Sequence, residues 1–306
     1  MEEIIVKNND INKRLDNFLL KLFPTFSRTN IYRLIRIKKI KVNDKKTQFD
    51  YRLQINDKVQ VFVNQTIQKD DDLVFLKTNG KLKIVYEDAN ILIVNKPIGI
   101  SVHDDESKSP NTLINIAKKY LFDTKAWDYR NENSFTPALV HRLDRNTQGL
   151  VIIAKNACAL KTLNELIKEH KIRKFYKATV HGIIDPKQGL LKHFLTPNKA
   201  TKIVTITNKQ ISPLSKQIVT KYTTVSHTLA TSELDIELIT GRTHQIRAHF
   251  AYIGHPLVGE RKYTNKSVSE TSKDKYQQLC AYKIIFDFNK EEGGCLSYLS
   301  HKTIHV

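Results

Sequence analysis

Hydrophobic residues near the N-terminus recur first at helical spacing and then in alternation. Apolar residues between positions 15 and 22 repeat every three or four residues, which predicts a helix with Asn12 as its N-cap. A second helix is predicted after Ser27, which can cap it. Alternation at residues 40–42 and again at residues 59–63 predicts two short strands. This part of the chain therefore reads as a small α/β module.

The rest of the chain changes pattern after a polar stretch. Residues 65–80 contain turn formers and an acidic triplet but no apolar repeat, so we interpret them as a linker between domains at 1–64 and 81–306. The predicted strands lie at 82–85, 91–94, 150–154, 174–180, 203–207, 218–225 and 234–238, and the predicted helices begin near 111, 156 and 243. Because strands outnumber helices without alternating regularly with them, we expect an α+β domain with a mixed, largely antiparallel sheet.

Charge adds a class of partner to this picture. Lys and Arg number 50, Asp and Glu number 31, and the formal net charge is +19. This charge favours a polyanionic binding partner, and it favours a nucleic acid over a membrane surface. The cations of the small module that we predict to contact RNA are Arg14, Arg28, Arg36, Lys38, Lys39 and Lys41. From charge alone, a solvated basic face is an equally good interpretation.

The cysteines and the apolar runs bear on compartment. Cys158, Cys280 and Cys295 lie far apart, which predicts a reducing environment with Cys158 and Cys280 as core thiols. No run is long enough to span a bilayer, and no signal-peptide pattern is present at the N-terminus. We therefore expect a cytoplasmic protein. No dinucleotide-binding glycine pattern and no zinc-type histidine spacing occurs, so no cofactor and no metal is expected.

Two polar sites stand at the ends of predicted strands. Asp144 lies between Arg142 and Arg145, just before the apolar run 150–154. Such an acid suits a nucleophile held ionised at a rigid edge, although a surface ion pair is the commoner explanation of the pattern. Arg242 lies where a strand turns into a helix, with Thr243 as the expected cap, and this place suits the binding of an anion.

Four segments then occur together in a fixed order: Lys96-Pro97 with Gly99; His141-Arg142-Leu143-Asp144-Arg145 with Thr147 and Gly149; Lys174-Phe175-Tyr176-Lys177-Ala178; and Gly241-Arg242-Thr243-His244-Gln245-Ile246-Arg247 with Gly254-His255-Pro256. Together they resemble the RluA-type pseudouridine synthases over residues 81–306. The sequence departs from the family pattern at Gln148, Glu260 and Cys280, where Ser, Asp and His are usual.

The N-terminal module resembles the alpha-L RNA-binding motif first described in small-subunit ribosomal protein four. The matching segments are Arg14-Leu15-Asp16, Ser27-Arg28, Leu34-Ile35-Arg36 and Ile40-Lys41-Val42-Asn43. The motif often has glycine where this chain has Lys38, Asp44 and Asn56, so the geometry of these turns is open.

The resemblance implies a reaction and roles for residues. Uridine in RNA would be isomerised without a cofactor, with Asp144 acting as a nucleophile at ribose C1′ or as a base at C2′. Tyr176 would stack on the uracil and remove the C5 proton, and Arg242 would pair with Asp144. Alternation puts Tyr176 on one face of its strand, and we expect Lys174 and Lys177 on the other.

The remaining implied contacts concern the substrate. The residues predicted to bind it are Arg142, which would hold open the space left by the everted nucleotide, and His141, Thr147 and Lys96. The implied substrate is large-subunit ribosomal RNA or a pre-ribosomal particle, and the oligomeric state is open. Two alternatives remain: a non-catalytic RNA-binding factor of ribosome assembly, and an RNA methyltransferase, against which the missing glycine-rich loop speaks.

Overall fold

The computed structural model describes residues 1–63, 73–103, 109–198, 200–264 and 274–306. Of the predicted linker, only residues from 73 onward are described, and they begin with the 3-10 helix Leu73–Lys77. The helices are α1 (Leu15–Leu22), α2 (Arg28–Arg36), α3 (Leu113–Asp123), α4 (Ala157–Lys168) and α5 (Gln245–Tyr252). The strands are β1 (Glu2–Ile5), β2 (Ile40–Val42), β3 (Lys58–Val61), β4 (Ile84–Glu87), β5 (Ile91–Lys96), β6 (Ala138–Leu139), β7 (Gln148–Ala154), β8 (Ile172–His181), β9 (Gln188–Pro197), β10 (Val204–Thr207), β11 (Lys216–His227), β12 (Thr231–Leu238), β13 (Leu279–Phe286) and β14 (Thr303–His305). The domain boundaries proposed from sequence stay a prediction.

The N-terminal strands form a small antiparallel sheet in the order β1-β3-β2, against which α1 and α2 bury their apolar faces. The Ser27 side chain accepts the N–H of Asn30, as predicted for a cap. The prediction of Asn12 as a cap is wrong, because its φ of 65° and a hydrogen bond from its N–H to the Leu53 carbonyl place it in the preceding turn. The three positions where glycine is usual do adopt positive φ: Lys38, Asp44 and Asn56, at 61°, 64° and 65°.

The remaining strands form one large sheet with the order β10-β9-β11-β12-β8-β13-β7-β5-β4, in which β14 pairs with β13 and β6 with β7. Among the described strand pairs, only β7 with β13 is parallel. The predicted mixed, largely antiparallel α+β architecture is confirmed. Gly149 makes the parallel pair possible, because a Cβ at this position, where φ is +125°, would lie 2.2 Å from the Ala281 carbonyl oxygen.

The central strands β5 and β7 are buried on both faces. Alternate residues of β7 enter two separate cores: Val151 and Ile153 pack on the side of α3, and Leu150 and Ile152 on the side of α4. Because both faces are covered, the strand is a continuous apolar run rather than an alternating one. The loop before β7 is therefore attached to one of the most rigid parts of the molecule.

The cysteines differ from the prediction. Cys158 in α4 and Cys295 form a disulfide, with Cα atoms 6.5 Å apart and a separation of 137 positions in sequence. The prediction of Cys158 as a free thiol is therefore wrong, because α4 packs against the segment Gly294–Leu299 in a way that spacing along the chain did not reveal. Cys280 is a free thiol and partly buried. The argument for a reducing compartment from unpaired cysteines loses its support.

A short N-terminal segment joins the small sheet to the large one. Asp10 is fully buried, and its carboxylate accepts a hydrogen bond from Asn133 Nδ2 at 2.8 Å. Asn9 Oδ1 accepts the N–H of Ala157, the first residue of α4, at 2.9 Å. These buried and partly buried polar contacts fix how the module lies against the larger part of the chain.

Candidate active site

One cavity brings most of the predicted site residues together. It opens beside the start of β8, the end of β12 and the start of α5. Its volume of 530 Å³ is within the range of pockets that take a small organic ligand. The predicted residues that line it are Asp144, Tyr176, Arg242, Arg142, His141 and Thr147. Lys96 and the six predicted RNA-binding cations of the small module are not among its lining residues.

Asp144 lies in the turn between β6 and β7, closed by a hydrogen bond from the Thr147 N–H to the Asp144 carbonyl at 3.0 Å. Lys96 supports this turn from beneath. Its side chain is fully buried, and Nζ donates to the carbonyl oxygens of Pro97, Ile100 and Arg145 at 2.8, 3.0 and 2.9 Å. The prediction that Lys96 contacts substrate is therefore corrected, because backbone carbonyls occupy the hydrogens of its ammonium group.

The Asp144 carboxylate is held from one side by an arginine on α5. Arg247 donates from Nη1 to Asp144 Oδ2 at 2.9 Å, and from Nε and Nη2 to both oxygens of Glu260 at 2.7 and 2.9 Å. Burial would lower the pKa of Arg247, but Glu260 and Asp144 outweigh it and raise that pKa above its ordinary value. Burial would raise the pKa of Glu260, but the hydrogen bonds and the positive charge of Arg247 outweigh it, and that pKa is lowered. The three side chains form a charged chain that ends at the cavity.

The predicted pairing of Arg242 with Asp144 is wrong for the described structure. Arg242 is exposed, and the carboxylate is paired with Arg247 instead. The reason is the turn before α5, where His244 adopts φ of 55° and Gln245 Oε1 accepts the N–H of Arg242 at 3.1 Å. The predicted Thr243 cap is also wrong, since Gln245 fastens this turn. Arg242 is left at the cavity, outside that ion pair.

His244 is a second neighbour of Asp144 that the sequence analysis missed. Its Nε2 lies 3.9 Å from Asp144 Oδ2, and its Nδ1 is 2.6 Å from the Tyr263 hydroxyl. Burial lowers the pKa of His244, against the opposing effect of Asp144. The imidazole is therefore neutral at pH 7, and Arg247 carries the positive charge at the carboxylate.

Tyr176 occupies the cavity wall on β8 and is buried. Burial, with smaller contributions from Asp144 and Cys280, raises the pKa of its phenol, which stays protonated at neutral pH. Lys174 lines the same cavity, whereas Lys177 is exposed. The prediction that both lysines lie opposite Tyr176 is therefore wrong for Lys174, because residues two apart in a strand share a face.

His141 and Thr147 line the cavity from the Asp144 turn. His141 Nε2 accepts the N–H of Ile152 at 3.2 Å, and its Nδ1 is buried without a hydrogen-bond partner among the described residues. Burial, assisted by the charge of Lys174, lowers the pKa of His141 to about 3. Thr147 is buried, and its hydroxyl accepts from Gln277 at 3.3 Å. Arg142 is exposed at the cavity.

The cations of the small module divide into two groups. Arg14 and Arg28 donate to the buried Asp16 at 2.9 Å each. By contrast, Arg36, Lys38 and Lys39 are exposed, and Lys41 is partly buried with Nζ 5.4 Å from the centre of the Phe62 ring.

Two further findings concern the whole described chain. Within the described ranges, no group of three or more His, Cys, Asp or Glu side chains is arranged to hold a metal ion. None of the described helices has both the length and the apolar character that crossing a membrane requires.

The chain is similar to known proteins along most of its length. The family model described as RNA pseudouridylate synthase matches residues 90–252. An uncharacterized RNA pseudouridine synthase of Mycoplasma genitalium is 34% identical over 294 residues, which cover 93% of this chain and 88% of that protein. The ribosomal large subunit pseudouridine synthase C of Buchnera aphidicola subsp. Schizaphis graminum is 36% identical over 302 residues, with 95% and 90% covered.

A solved structure agrees with the sequence relatives. The human RNA pseudouridylate synthase domain containing 1 is similar with a TM-score of 0.54 and 26% identity, over 67% of this chain and 78% of that one. The resemblance to RluA-type synthases is thus confirmed, and the non-catalytic alternative is not supported. The chain belongs to the RNA pseudouridylate synthase family, and it is an enzyme that isomerises uridine to pseudouridine in RNA.

Proposed function

We propose that this enzyme modifies uridines of large-subunit ribosomal RNA, free or in an assembling particle. Relatives named as large-subunit synthases align with nearly the whole chain: synthase C of Buchnera aphidicola covers 95% of it, and synthase D of Blochmanniella floridana covers 100% at 32% identity. The net charge of +19 suits a large polyanion. We also propose the cytoplasm as its compartment, because the relatives named as large-subunit synthases are from bacteria, in which ribosomal particles are assembled in the cytoplasm.

Asp144 is the group that we propose attacks the ribose. The observation that carries this role is the asymmetry of its carboxylate: Arg247 holds Oδ2 at 2.9 Å, while no described residue donates a hydrogen bond to Oδ1 beside the cavity. A carboxylate fixed on one side and open on the other is positioned to react. Both a bond from Oδ1 to C1′ and removal of the C2′ proton are compatible with this arrangement.

Tyr176 is proposed to contact the uracil through its ring. A buried aromatic side chain on a strand offers a flat, rigid surface against which a base can stack. The raised pKa of the phenol argues against a phenolate base at neutral pH, since the proton would first have to leave an unfavourable site. Removal of the phenol oxygen in Tyr176→Phe should therefore cost less activity than removal of the ring in Tyr176→Ala.

The exposed cations are proposed to hold the RNA around the extruded nucleotide. A uridine must leave its stack to reach the cavity, and Arg142 and Arg242 are exposed beside it. Arg36, Lys38, Lys39 and Lys41 would contact the backbone farther away, in keeping with the alpha-L resemblance. His141 and Thr147 are proposed to line the bound nucleoside.

The decisive experiment compares two acidic residues in cells that lack the native protein. Asp144→Asn should restore no pseudouridine, whereas Asp123→Asn, an exposed carboxylate on α3 that pairs with Lys119, should restore the full number. Mass spectrometry of digested large-subunit ribosomal RNA gives the count. Full restoration by Asp144→Asn would remove Asp144 from the reaction. If pseudouridine is restored by the wild type in transfer RNA but not in ribosomal RNA, the proposed substrate is wrong.

A further inference from the structure

Lys174 is a partly buried cation of the cavity that has no counter-charge among the described residues. It forms no ion pair with them, whereas its neighbour Arg173 contacts Glu237 at 2.6 Å and Arg247 contacts Asp144 and Glu260. Burial is the cause that lowers the pKa of Lys174. A desolvated charge without a partner costs free energy. Such a group is expected where a ligand brings the opposite charge.

The position of the ammonium group is fixed by the strand and by the turn beside it. Lys174 lies two residues before Tyr176 on the same face of β8, and both line the cavity. A Cβ placed on Gly241 would lie 3.7 Å from Lys174 Nζ, so the ammonium lies against the turn that precedes α5. The charge is therefore at the cavity wall beside the ring that we propose contacts uracil.

His141 adds a neutral donor next to this charge. Its Nε2 accepts the N–H of Ile152, so in the neutral imidazole the hydrogen is on Nδ1. That Nδ1 is buried and has no partner within the described structure, although the residue lines the cavity. An unused buried donor is costly in the same way as an unpaired charge. Both groups can therefore donate a hydrogen bond to an acceptor on a ligand.

The reaction creates such an acceptor. When the bond between ribose C1′ and uracil N1 breaks, its electron pair stays on N1, and the negative charge spreads to the two carbonyl oxygens of the uracil. The charge comes from Asp144, which becomes neutral whether it bonds to C1′ or takes the C2′ proton. C5 then bonds to C1′ as the Asp144 oxygen leaves C1′ with its electron pair or, in the other route, as C2′ takes its proton back from Asp144. The aspartate is charged again, the C5 proton leaves, and N1 gains a proton. Arg247 stays with Asp144, so the detached ring needs a different cation.

We propose that Lys174 and His141 form an oxyanion site for the uracil. In this site the ammonium group of Lys174 and the Nδ1–H of His141 donate hydrogen bonds to the uracil carbonyl oxygens while the base is detached from the ribose. This inference rests on the proposed function of Asp144 and Tyr176. A phosphate of the same nucleotide is the competing ligand. The ring is favoured because Arg142 and Arg242 are exposed and suited to phosphates, while Lys174 is desolvated beside Tyr176.

The experiment measures the single-turnover rate and the RNA affinity of the full-length enzyme. Lys174→Met should slow the rate about 100-fold and leave the dissociation constant and its salt dependence unchanged, and Lys174→Arg should recover part of the rate. Lys177→Met is the matched control, because Lys177 is exposed on the opposite face of β8, and it should behave as the wild type. Unchanged melting temperatures and the recovery in Lys174→Arg separate the effect from misfolding.

A substrate with 5-fluorouridine at the target sharpens the test. Fluorine makes the departing uracil anion less basic, so its departure needs less help, and the defect of Lys174→Met in loss of the N-glycoside should shrink. A merely structural role predicts the same defect with both substrates.

Three results would overturn the inference. The first is a wild-type rate for Lys174→Met, and the second is an equal defect of this variant with uridine and 5-fluorouridine. The third is weaker RNA binding with a salt slope reduced by about one, which indicates that Lys174 binds a phosphate. Asp144→Asn is measured in parallel. If it is inactive while Lys174→Met is normal, only the oxyanion site fails; if it is active, the proposed function itself fails.

Discussion

Asp16 in the small module and Asp144 at the cavity are both aspartates held by arginines, yet their surroundings differ. Asp16 is fully buried, and its carboxylate accepts hydrogen bonds from Arg14, Arg28 and Tyr32, as well as from the N–H of Asn17. Asp144 lines the cavity and accepts a hydrogen bond from Arg247 at Oδ2, whereas no described residue donates a hydrogen bond to its Oδ1.

The comparison teaches what separates a structural carboxylate from a reactive one. An arginine neighbour in sequence does not distinguish them, because both have one within two positions. What distinguishes the two carboxylates is the number of oxygen lone pairs that accept no hydrogen bond. A carboxylate whose acceptor capacity is filled stabilises the fold, whereas one that is held and partly open can bind or attack a substrate.

The largest expected effect comes from removing the hydrogen bond that Arg247 donates to Asp144. Arg247→Gln should lower the single-turnover rate about 100-fold to 1000-fold, because the carboxylate loses the cation that fixes its position. RNA affinity should change little, since Arg247 is only 11% exposed in its side chain. Rapid-quench kinetics with a filter-binding assay separate the two quantities. A rate within a factor of about three of the wild type would mean that Asp144 needs no such partner.

Removing the filled carboxylate should affect stability instead. Asp16→Asn is expected to lower the free energy of unfolding of the module by about 2 kcal/mol, because Arg14 and Arg28 lose charge-assisted hydrogen bonds. Burial alone would raise the pKa of Asp16, but hydrogen bonds from Arg14 and Tyr32 outweigh it and lower that pKa from its ordinary 3.8.

This lowered pKa sets the pH dependence of the same effect. The stabilisation is complete above pH 3.8, diminishes as the pH falls through the lowered pKa of the folded state, and is absent below it. Denaturant unfolding of wild type and Asp16→Asn, followed from neutral pH down to below the lowered pKa, measures the difference. A difference that grows on acidification would contradict the assigned pairing.

A smaller effect is expected one step farther from the cavity. Glu260→Gln should slow catalysis about 10-fold, because Arg247 keeps its bond to Asp144 but loses the charged anchor on its other side. Glu260→Asp, which keeps the charge, serves as the control and should recover much of the rate. Equal rates in both variants would show that the charge of residue 260 is not what matters.

The smallest effect should separate the unpaired cations of the module from those that hold Asp16. Changing Lys38, Lys39 and Lys41 to Ala is expected to weaken RNA affinity and to flatten its salt dependence by about one log-log unit for each phosphate that the variant no longer neutralises. Arg14→Ala should leave that slope unchanged, since its charge is directed to Asp16. Titrations at several salt concentrations test this. An unmoved slope in the triple-lysine variant would exclude this surface as the RNA-binding face.

Periodicity predicted much of the fold correctly. The cap at Ser27 formed as expected, since its side chain accepts the N–H of Asn30. The helix expected to begin near residue 156 begins at Ala157, where the Asn156 side chain accepts the N–H of Ala159. Strand β13 was not predicted, because a register shift between Ala281 and Lys283, where the strand pairs with β8, interrupts the alternation of its side chains. A bulge of this kind hides a strand from any two-residue pattern.

The site was predicted in its members more than in its pairings. Motif order identified Asp144 and Tyr176, which do line one cavity. Choosing between Arg242 and Arg247 required the left-handed turn at His244, and a turn conformation adopted by a non-glycine residue is not evident from spacing. The pairing of Cys158 with Cys295 likewise depends on tertiary packing across 137 residues.

Strand β13 has a consequence for when the enzyme can work. It lies between β8, which bears Tyr176, and β7, which follows Asp144, so it sets the width of the gap between them at roughly two strand spacings, about 9 to 10 Å. Because β13 begins at Leu279, a chain still emerging from the ribosome has both reacting groups long before it has the spacer that separates them. Catalytic competence therefore cannot arise before β13 has been made, and removal of β13 should abolish it although every motif is still present.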